Sequence, residues 1–474
     1  MSLRRCVGLT AATALLVALL PAGTAAGGPR AARAPGPGGP GIGDPYWPLD
    51  GNGGIDVQHY DVHDRYVFGT GVLSGTTTVT LRATADLTRF QLDLLLPVTA
   101  VRVDDVPAAY SKPDPHELQI TPATPLDAGD VVDVVVEYAG APAGIEYAGE
   151  QNWLADDTEV VTMNEPHMAP WWFPSNDHPS DKATFDVTVT GPASHQVVSN
   201  GVLVGRTVAG AEATTHWRSA RPMATYLAFF ALGRYDVTQG VRDGLPWYVA
   251  VSRGLPAESR RISRRNLLRS DEITSWLAGR LGPYPFESTG GLSTALPVGF
   301  ALENQTRPTY PGVYSASIVV HELAHQWFGD SVSVDRWRDV WLNEGFATFM
   351  EVLHAEKHGG PTGQQWLRDT YHGRYGDRSF WRLDLTGPGR GRIFDDAVYT
   401  RGAMAVQALR HRIGGRDFTR LLRTWVRRHR HANASVPEFR RLAEQVAGTR
   451  LDGFFRAWLK APRPPRATAR NGLR

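Results

Sequence analysis

HELAH at residues 321–325 is followed, after eighteen intervening residues, by Glu344 in WLNEGFA at residues 341–347. Side chains four positions apart on an α-helix lie on one face, so the imidazoles of His321 and His325 are expected to converge on one point. Glu322 lies about 100° around the helix from His321, close enough to act beside that point without ligating. Glu344 opens a second predicted helix, which can return its carboxylate to the imidazoles. The spacing therefore predicts a catalytic Zn²⁺ held by His321, His325 and Glu344, with Glu322 as the general base.

The sequence around this motif has helical periodicity. The predicted helices span residues 258–281, 315–329, 343–358, 399–414, 416–431 and 436–447. Ser435 and Glu438 have the spacing of a capping box at the start of the last helix. One strand-like segment, Leu296 to Asn304, lies among them. These patterns predict a mostly helical domain over residues 238–460.

The preceding segment is strand-like. Runs such as TTTVTL at 76–81 and VVDVVV at 131–136 are rich in β-branched residues and are separated by Gly, Pro and Asp turns. We expect an antiparallel β domain over residues 46–237. The chain is thus predicted to be a multidomain α+β protein.

The first 26 residues have the composition of a secretory signal. Arg4 and Arg5 precede an apolar run of small residues, and the pattern favours cleavage after Ala26 and a secreted, extracellular protein. Residues 27–45 are predicted to be a flexible Gly/Pro linker, and residues 461–474 a disordered Arg/Pro tail. Cys6 is the single cysteine, so metal ligands in the mature chain must be histidines and carboxylates.

The composition excludes several classes of partner. Lys+Arg 50 against Asp+Glu 48 leaves no basic excess for nucleic acid. After the signal, no segment is long and apolar enough to span a membrane, so no membrane partner is expected.

Further motifs resemble those of the M1 family of zinc aminopeptidases. The matching stretches are HELAHQWFGD at 321–330, WLNEGFA at 341–347, FALEN at 300–304, YTRG at 399–402, GNGG at 51–54 and residues 164–179. The resemblance implies a thermolysin-like catalytic domain after the β domain, one Zn²⁺ per chain, and peptide substrates with a free N-terminus. It also implies a form without the long helical C-terminal domain of larger members, and we expect a monomer.

The same resemblance implies roles for residues outside the metal motif. Tyr399 matches a catalytic tyrosine that stabilises the developing oxyanion, while Glu303 and Glu165 match acceptors for the substrate's α-ammonium. The segment from Ala301 to Asn304 would pair with the substrate backbone. Phe300 and Leu302 replace the family's Gly and Met, which predicts an altered preference for the first residue.

The spacing further allows Asp339, one turn before Glu344, to orient a ligand histidine or to form a surface ion pair.

Other functions remain open from the sequence. A zinc endopeptidase or an epoxide hydrolase could use the same scaffold, and a binding protein could hold a structural zinc. Manganese or cobalt could also occupy the same ligands.

Overall fold

The computed structural model describes residues 35–474. The predicted signal peptide and the first part of the predicted linker lie outside the described residues. Within this range a β-rich domain precedes a mostly helical one, so the predicted α+β fold is confirmed. None of the helices in this range combines the length and hydropathy that a membrane span requires.

The first domain is built on an eight-stranded sheet. Its strands lie in the order Val202–Ala209, Glu212–Ala224, Lys182–Pro192, Ile55–Val67, Val72–Ala83, Val131–Gly140, Val98–Val103 and Val106–Pro107. Apolar residues recur at every second position, so one face of the sheet is buried; Val57 and Val62 are fully enclosed. The sheet is not wholly antiparallel as predicted, because Lys182–Pro192 runs parallel to Ile55–Val67. The long connection between these two strands provides the crossover that a parallel pair needs.

Two smaller sheets complete this domain. One contains Gly36–Pro37, Leu87–Asp93, Glu117–Thr121 and Ala109–Ser111, and the other contains Leu154–Ala155, Val160–Val161, Phe230–Gly233 and Gln196–Ser199. In the first, Asp93 lies directly opposite Glu117 across an antiparallel pair. Trp172 and Phe173 are fully buried between the sheets and pack edge to face.

The second domain begins with a four-stranded sheet of Tyr235–Arg242, Leu245–Ser252, Thr289–Ser293 and Thr309–Tyr310. Its helices are Ala257–Leu267 (α1), Ser270–Leu281 (α2), Ala316–His325 (α3), Trp341–Lys357 (α4), Gly363–Arg374 (α5), Arg378–Arg382 (α6), Gly402–Ile413 (α7), Gly415–Arg428 (α8), Val436–Ala447 (α9) and Asp452–Phe455 (α10). The strands Val332–Val334 and Ala432–Ala434 pair in parallel beside them. The capping box of Ser435 and Glu438 is confirmed at the start of α9, whereas α5 was not predicted.

The predicted strand from Leu296 to Asn304 is wrong. Only Leu302 pairs there, exchanging backbone hydrogen bonds of 2.9 and 2.8 Å with Thr309. Pro297 lacks an N–H and Gly299 favours turns, so the pattern of apolar residues does not become a ladder. The segment is a loop with one anchored residue.

The boundaries of the predicted linker and tail are also wrong where the structure describes them. Gly36–Pro37 pairs with Leu87–Asp93, and Asp44 is buried, accepting a 2.8 Å hydrogen bond from the Tyr46 backbone. The segment from residue 35 to residue 45 therefore belongs to the β domain despite its Gly and Pro content.

The tail after Lys460 packs onto the helical domain. The indole of Trp458 donates a 3.0 Å hydrogen bond to the carbonyl of Asn471, and the hydroxyl of Tyr371 donates one of 2.6 Å to the carbonyl of Pro465. Leu473 is buried. The prediction of a disordered tail is wrong. Two of its carbonyls accept hydrogen bonds from the helical domain and one apolar side chain is buried, and composition alone does not show such contacts.

An ion pair between α4 and α7 predicts a measurable pH dependence of stability. Both carboxylate oxygens of Glu356 accept 2.8 Å hydrogen bonds from Arg410, which lower the pKa of Glu356 to about 2. Because the folded value lies below the usual ~4.3, the pair stabilises the fold at neutral pH and is lost as pH falls. We expect Glu356→Gln to reduce the free energy of unfolding by about 2 kcal/mol at neutral pH.

Urea unfolding followed by circular dichroism, repeated from neutral pH downwards, measures this effect. The difference between wild type and variant should shrink below about pH 4.5, where unfolded carboxylates protonate. Glu212→Gln removes an exposed pair with Arg65 and is the control, expected to change stability by under ~1 kcal/mol. A pH-independent difference for Glu356→Gln would contradict the assignment.

Candidate active site

Helices α3 and α4 bring the three predicted metal ligands together. Nε2 of His321 lies 3.3 Å and Nε2 of His325 lies 3.4 Å from Oε2 of Glu344. Ligand atoms around a tetrahedral ion with bonds of ~2.0–2.1 Å are ~3.3 Å apart. All three side chains are buried, and two imidazoles with one carboxylate form a donor set of the catalytic zinc type. The residues present therefore fit Zn²⁺.

A close contact between two glycines positions these helices. A Cβ on Gly345 would lie 2.9 Å from the Cα of Gly402, and a Cβ on Gly402 would lie 2.8 Å from the Cα of Gly345. Only glycine allows backbones to approach so closely. Since Glu344 precedes one glycine and Tyr399 lies three residues before the other, this contact sets both side chains relative to each other.

The outer nitrogens of the ligand histidines are held by acceptors. Nδ1 of His321 lies 2.9 Å from Oε1 of Glu351, and Nδ1 of His325 lies 3.0 Å from the carbonyl of Phe328. Such partners fix the tautomer that leaves Nε2 free to ligate. Glu351 was missed by the sequence analysis, although it lies seven residues after Glu344 and so on the same face of α4.

Asp339, which the spacing offered for this role, does not contact either histidine. It lies in the 3₁₀ turn Trp337–Asp339 before α4 and lines a different cavity, next to α9. One turn before Glu344 the chain has not yet entered the helix, so the carboxylate points elsewhere.

Two further carboxylates reach the metal ligands. Glu165, Glu303 and Glu344 each offer an oxygen within 4.8 Å of the others. One oxygen of Glu303, one of Glu322 and a ring nitrogen of His325 form a second group with the same limit. One oxygen of Glu165 and one of Glu303 are buried without a hydrogen-bond partner among the described residues. The structure therefore places both predicted ammonium acceptors beside the metal ligands.

The loop that carries Glu303 is tied directly to α3. The amide of Gln326 donates a 3.1 Å hydrogen bond to the carbonyl of Glu303 and accepts one of 2.7 Å from the backbone of Thr306. Gln326 directly follows His325, so the residue next to a metal ligand also holds the loop in place. This link had no signal in the sequence beyond the position of Gln326 within the motif.

These residues border a cavity of about 470 Å³. It is lined by Glu165, Gly299, Phe300, Ala301, Glu303, Pro311, Val313, Tyr314, Ile318, His321, Glu322, His325, Glu344, Thr348, Glu351 and Tyr399. The lining holds five carboxylates and no lysine or arginine. Of the segment expected to pair with the substrate backbone, Ala301 lies in the wall. Asn304 does not line the cavity, and its buried amide donates a 3.0 Å hydrogen bond to Thr309.

Burial makes this cluster of carboxylates electrostatically costly. Burial raises the pKa of Glu322 to about 8 and raises the pKa values of Glu165 and Glu303. Burial also acts to raise the pKa of Glu344, but the imidazoles of His325 and His321 outweigh it and lower that pKa to about 2. The cavity is therefore suited to cations, both a divalent metal ion and an ammonium group.

Tyr399 lines the same cavity from a π-helical turn, Ala397–Arg401, that leads into α7. Its ring stacks on His321 at a centroid distance of 6.0 Å. The neighbouring Arg401 is fully buried and donates hydrogen bonds to the carbonyls of Trp458, Trp381 and Leu383 at 2.6, 2.9 and 2.9 Å. Arg401 thus anchors the turn that presents Tyr399.

The orientation of His321 by Glu351 predicts an effect on metal affinity. Glu351→Gln keeps the shape of the side chain but weakens the acceptor for Nδ1 of His321, so we expect Zn²⁺ affinity to fall by about 10–100-fold. Competition with a chromogenic chelator measures it. Asp339→Asn is the matched control and should leave affinity unchanged; the reverse result for the two variants would show that Asp339 orients the ligand.

Family models cover most of the described chain. Residues 57–227 match the Peptidase M1 N-terminal domain, and residues 287–458 match the Peptidase family M1 domain. Among curated proteins, glutamyl aminopeptidase of Homo sapiens is 25% identical over 454 residues, covering 86% of this chain and 46% of that protein. Aminopeptidase M1-D of Oryza sativa subsp. japonica is 27% identical over 350 residues, covering 66% and 38%. The chain spans less than half the length of these two relatives.

Solved structures match over a greater share of their length. A mutant M1 zinc metallopeptidase from Deinococcus radiodurans, bound to a Tyr-Ser-Ala substrate, has a TM-score of 0.80 and 30% identity, covering 90% of this chain and 98% of that chain. A two-domain M1 zinc metallopeptidase mutant bound to L-tryptophan has a TM-score of 0.78 and 30% identity, covering 90% and 99%. Together with the donor set of His321, His325 and Glu344, these matches identify the cofactor as Zn²⁺. The resemblance is thereby confirmed, and the chain belongs to peptidase family M1.

Proposed function

We propose that this chain is a zinc-dependent aminopeptidase that hydrolyses the first peptide bond of peptides with a free N-terminus. One observation carries the proposal: Glu165 and Glu303, each with a buried unpaired oxygen among the described residues, lie beside the metal ligands. An exopeptidase must recognise a chain terminus, and two carboxylates next to the reaction centre provide acceptors for an α-ammonium group.

Binding at these carboxylates sets the register of the substrate. With the ammonium between Glu165 and Glu303, the first residue's side chain faces the rest of the cavity, and one carbonyl reaches the metal ligands. Phe300 and Val313 give that part of the cavity apolar walls. Neighbouring structures bound to Tyr-Ser-Ala, L-tryptophan and L-arginine support a cavity that accepts large first residues of different charge.

The protein's residues then divide the proton and charge transfers. When bound, Zn²⁺ supplies Lewis-acid chemistry that activates water and polarises the scissile carbonyl. Glu322 takes the proton of the attacking water and delivers it to the leaving amine. The phenol of Tyr399 donates a hydrogen bond to the developing oxyanion.

The proposal is tested with aminoacyl-coumarin substrates, each assayed with a free amine and after N-acetylation. We expect kcat/KM to fall by at least ~10³-fold on acetylation, because the buried carboxylates are then left without a cation. Glu303→Gln should raise KM for the free-amine substrate and so reduce the difference in kcat/KM between the free-amine and N-acetylated substrates. A chelator should abolish turnover, and Zn²⁺ should restore it.

The same assay separates the catalytic groups. Glu322→Gln should lower kcat by roughly 10²–10⁴-fold with the active-site metal retained, and Tyr399→Phe by roughly 10²–10³-fold. Tyr314→Phe, in the same cavity, is the control and should change kcat by only a few-fold, because the hydroxyl of Tyr314 faces the Ser263 carbonyl at 3.4 Å. Equal turnover of the free-amine and N-acetylated substrates would favour an endopeptidase. Turnover of an epoxide alone would favour an epoxide hydrolase. No hydrolysis of any substrate would favour a binding protein with a structural zinc.

We propose further that the protein is exported and acts as a monomer. Support for export comes from residues 1–26, where two arginines precede an apolar run and small residues. All residues assigned to the reaction come from one chain, which supports a monomer. Expression in a secreting host should yield a product whose N-terminal sequence starts at Gly27, with the mass of one chain by light scattering. Retention of an uncleaved chain in the cells would contradict export. A stable dimer would contradict the monomeric state.

A further inference from the structure

A second cluster of buried acids and imidazoles lies in the N-terminal domain, outside the lining of the catalytic cavity. Asp93 ends its strand directly opposite Glu117, and His116 immediately precedes Glu117. The three side chains are 0%, 2% and 1% exposed, and each offers one ligand atom within 4.8 Å of the other two. The pairing of two strands therefore gathers one imidazole and two carboxylates in the interior.

The distances in this cluster are close to those between metal ligands, and the one hydrogen bond among the three side chains, from His116 to Glu117, is long at 3.4 Å. Nδ1 of His116 lies 3.6 Å from Oδ1 of Asp93 and 3.4 Å from Oε1 of Glu117. A normal N–H···O hydrogen bond is ~2.9 Å long, whereas ligand atoms around a tetrahedral ion are ~3.3 Å apart. The Zn²⁺ ligands of the catalytic site, at 3.3 and 3.4 Å, show the same spacing.

Asp93 is held in place as ligating carboxylates usually are. Its Oδ2 accepts backbone hydrogen bonds from Gly51 at 3.1 Å and Asp177 at 2.6 Å, and its Oδ1 accepts one of 2.8 Å from the amide of Asn52. Hydrogen bonds of this kind orient metal-binding carboxylates.

Among the described residues, His116 is the one basic side chain that contacts the carboxylates of Asp93 and Glu117. Like charges directly opposite in an antiparallel pair repel, and burial increases the cost. Within residues 35–474, no lysine or arginine lies within 4.0 Å of the carboxylates of Asp93 or Glu117. Oε2 of Glu117 and Nε2 of His116 are buried without a hydrogen-bond partner in the same range. Buried polar atoms without a protein partner are usually bonded to a water molecule or an ion.

We propose that Asp93, His116 and Glu117 form a second metal site, which binds a divalent transition-metal ion. Imidazole with carboxylates favours Zn²⁺ or a similar ion over Ca²⁺, whose sites consist of oxygen ligands. Asp50 is not a ligand of this ion, since its Oδ1 faces the other ring nitrogen of His116, Nε2, at 4.0 Å. The role is structural, because the three ligands are buried in the β domain and none lines the catalytic cavity.

Metal stoichiometry tests the proposal without depending on catalysis. The full chain, loaded with Zn²⁺ and desalted, is analysed by inductively coupled plasma mass spectrometry. Wild type should hold two equivalents, and the double variant His321→Ala/His325→Ala should hold one. Glu117→Gln should hold one, and the triple variant none. His195→Gln, a similarly buried histidine of the same domain without a carboxylate partner, is the matched control and should hold two.

Several results would overturn the proposal. These are one equivalent in wild type, loss of all metal in the His321/His325 double variant, or two equivalents in Glu117→Gln. A second equivalent consisting only of calcium would overturn the transition-metal assignment. If Glu117→Gln does not fold, the double variant alone decides, since it leaves the second site intact. Aminopeptidase activity enters none of these readouts, so failure of the proposed function would not affect them.

Discussion

The contact between Gly345 and Gly402 is the constraint on which the catalytic geometry depends. It lets the backbones of α4 and the start of α7 touch. A Cβ atom on either residue would collide with the backbone of the other. Glu344 is thereby brought to the imidazoles of α3, and Tyr399 is brought to the ring of His321 in the same cavity. The N-E-G and Y-x-x-G patterns therefore reflect one packing contact. In each pattern the functional side chain, Glu344 or Tyr399, lies a fixed number of residues before the glycine that makes the contact.

Within that framework, charge determines what the cavity can bind. Its lining carries five carboxylates without a lysine or arginine, so cations are needed to stabilise those carboxylates in the ionised form. One cation is the metal ion between His321, His325 and Glu344. In the proposed function, the second requirement, at Glu165 and Glu303, is met by a substrate ammonium. Under that proposal a peptide with a free N-terminus balances the charge of the site as well as occupying its volume.

The sequence predicted the parts of the molecule that depend on local periodicity. The ligand triad follows from spacing on helices, and Glu351 could have been found by continuing the face of α4 from Glu344 by two turns. Asp339 was a misleading candidate because residues Trp337–Asp339 form a 3₁₀ turn, which spacing alone does not show. Glu165 could be placed only by family resemblance, since no local pattern connects its loop to α3. The order of residues 461–474 depends on partners such as Trp458 and Tyr371, which composition does not identify.

The β domain contributes to the reaction centre through the loop that carries Glu165. Two residues further on, His167 is buried and lies 2.8 Å from Oδ2 of Asp50 and 3.1 Å from Oε2 of Glu150. Burial acts to lower the pKa of His167, but the carboxylates of Asp50 and Glu150 outweigh it and raise that pKa to about 10, which favours the protonated imidazole at neutral pH. Asp50 in turn faces His116. The polar cluster of the N-terminal domain is therefore connected, through Asp50 and His167, to the backbone that presents Glu165. Because the proposed ammonium site takes one carboxylate from each domain, these contacts help to position the carboxylate that the N-terminal domain contributes.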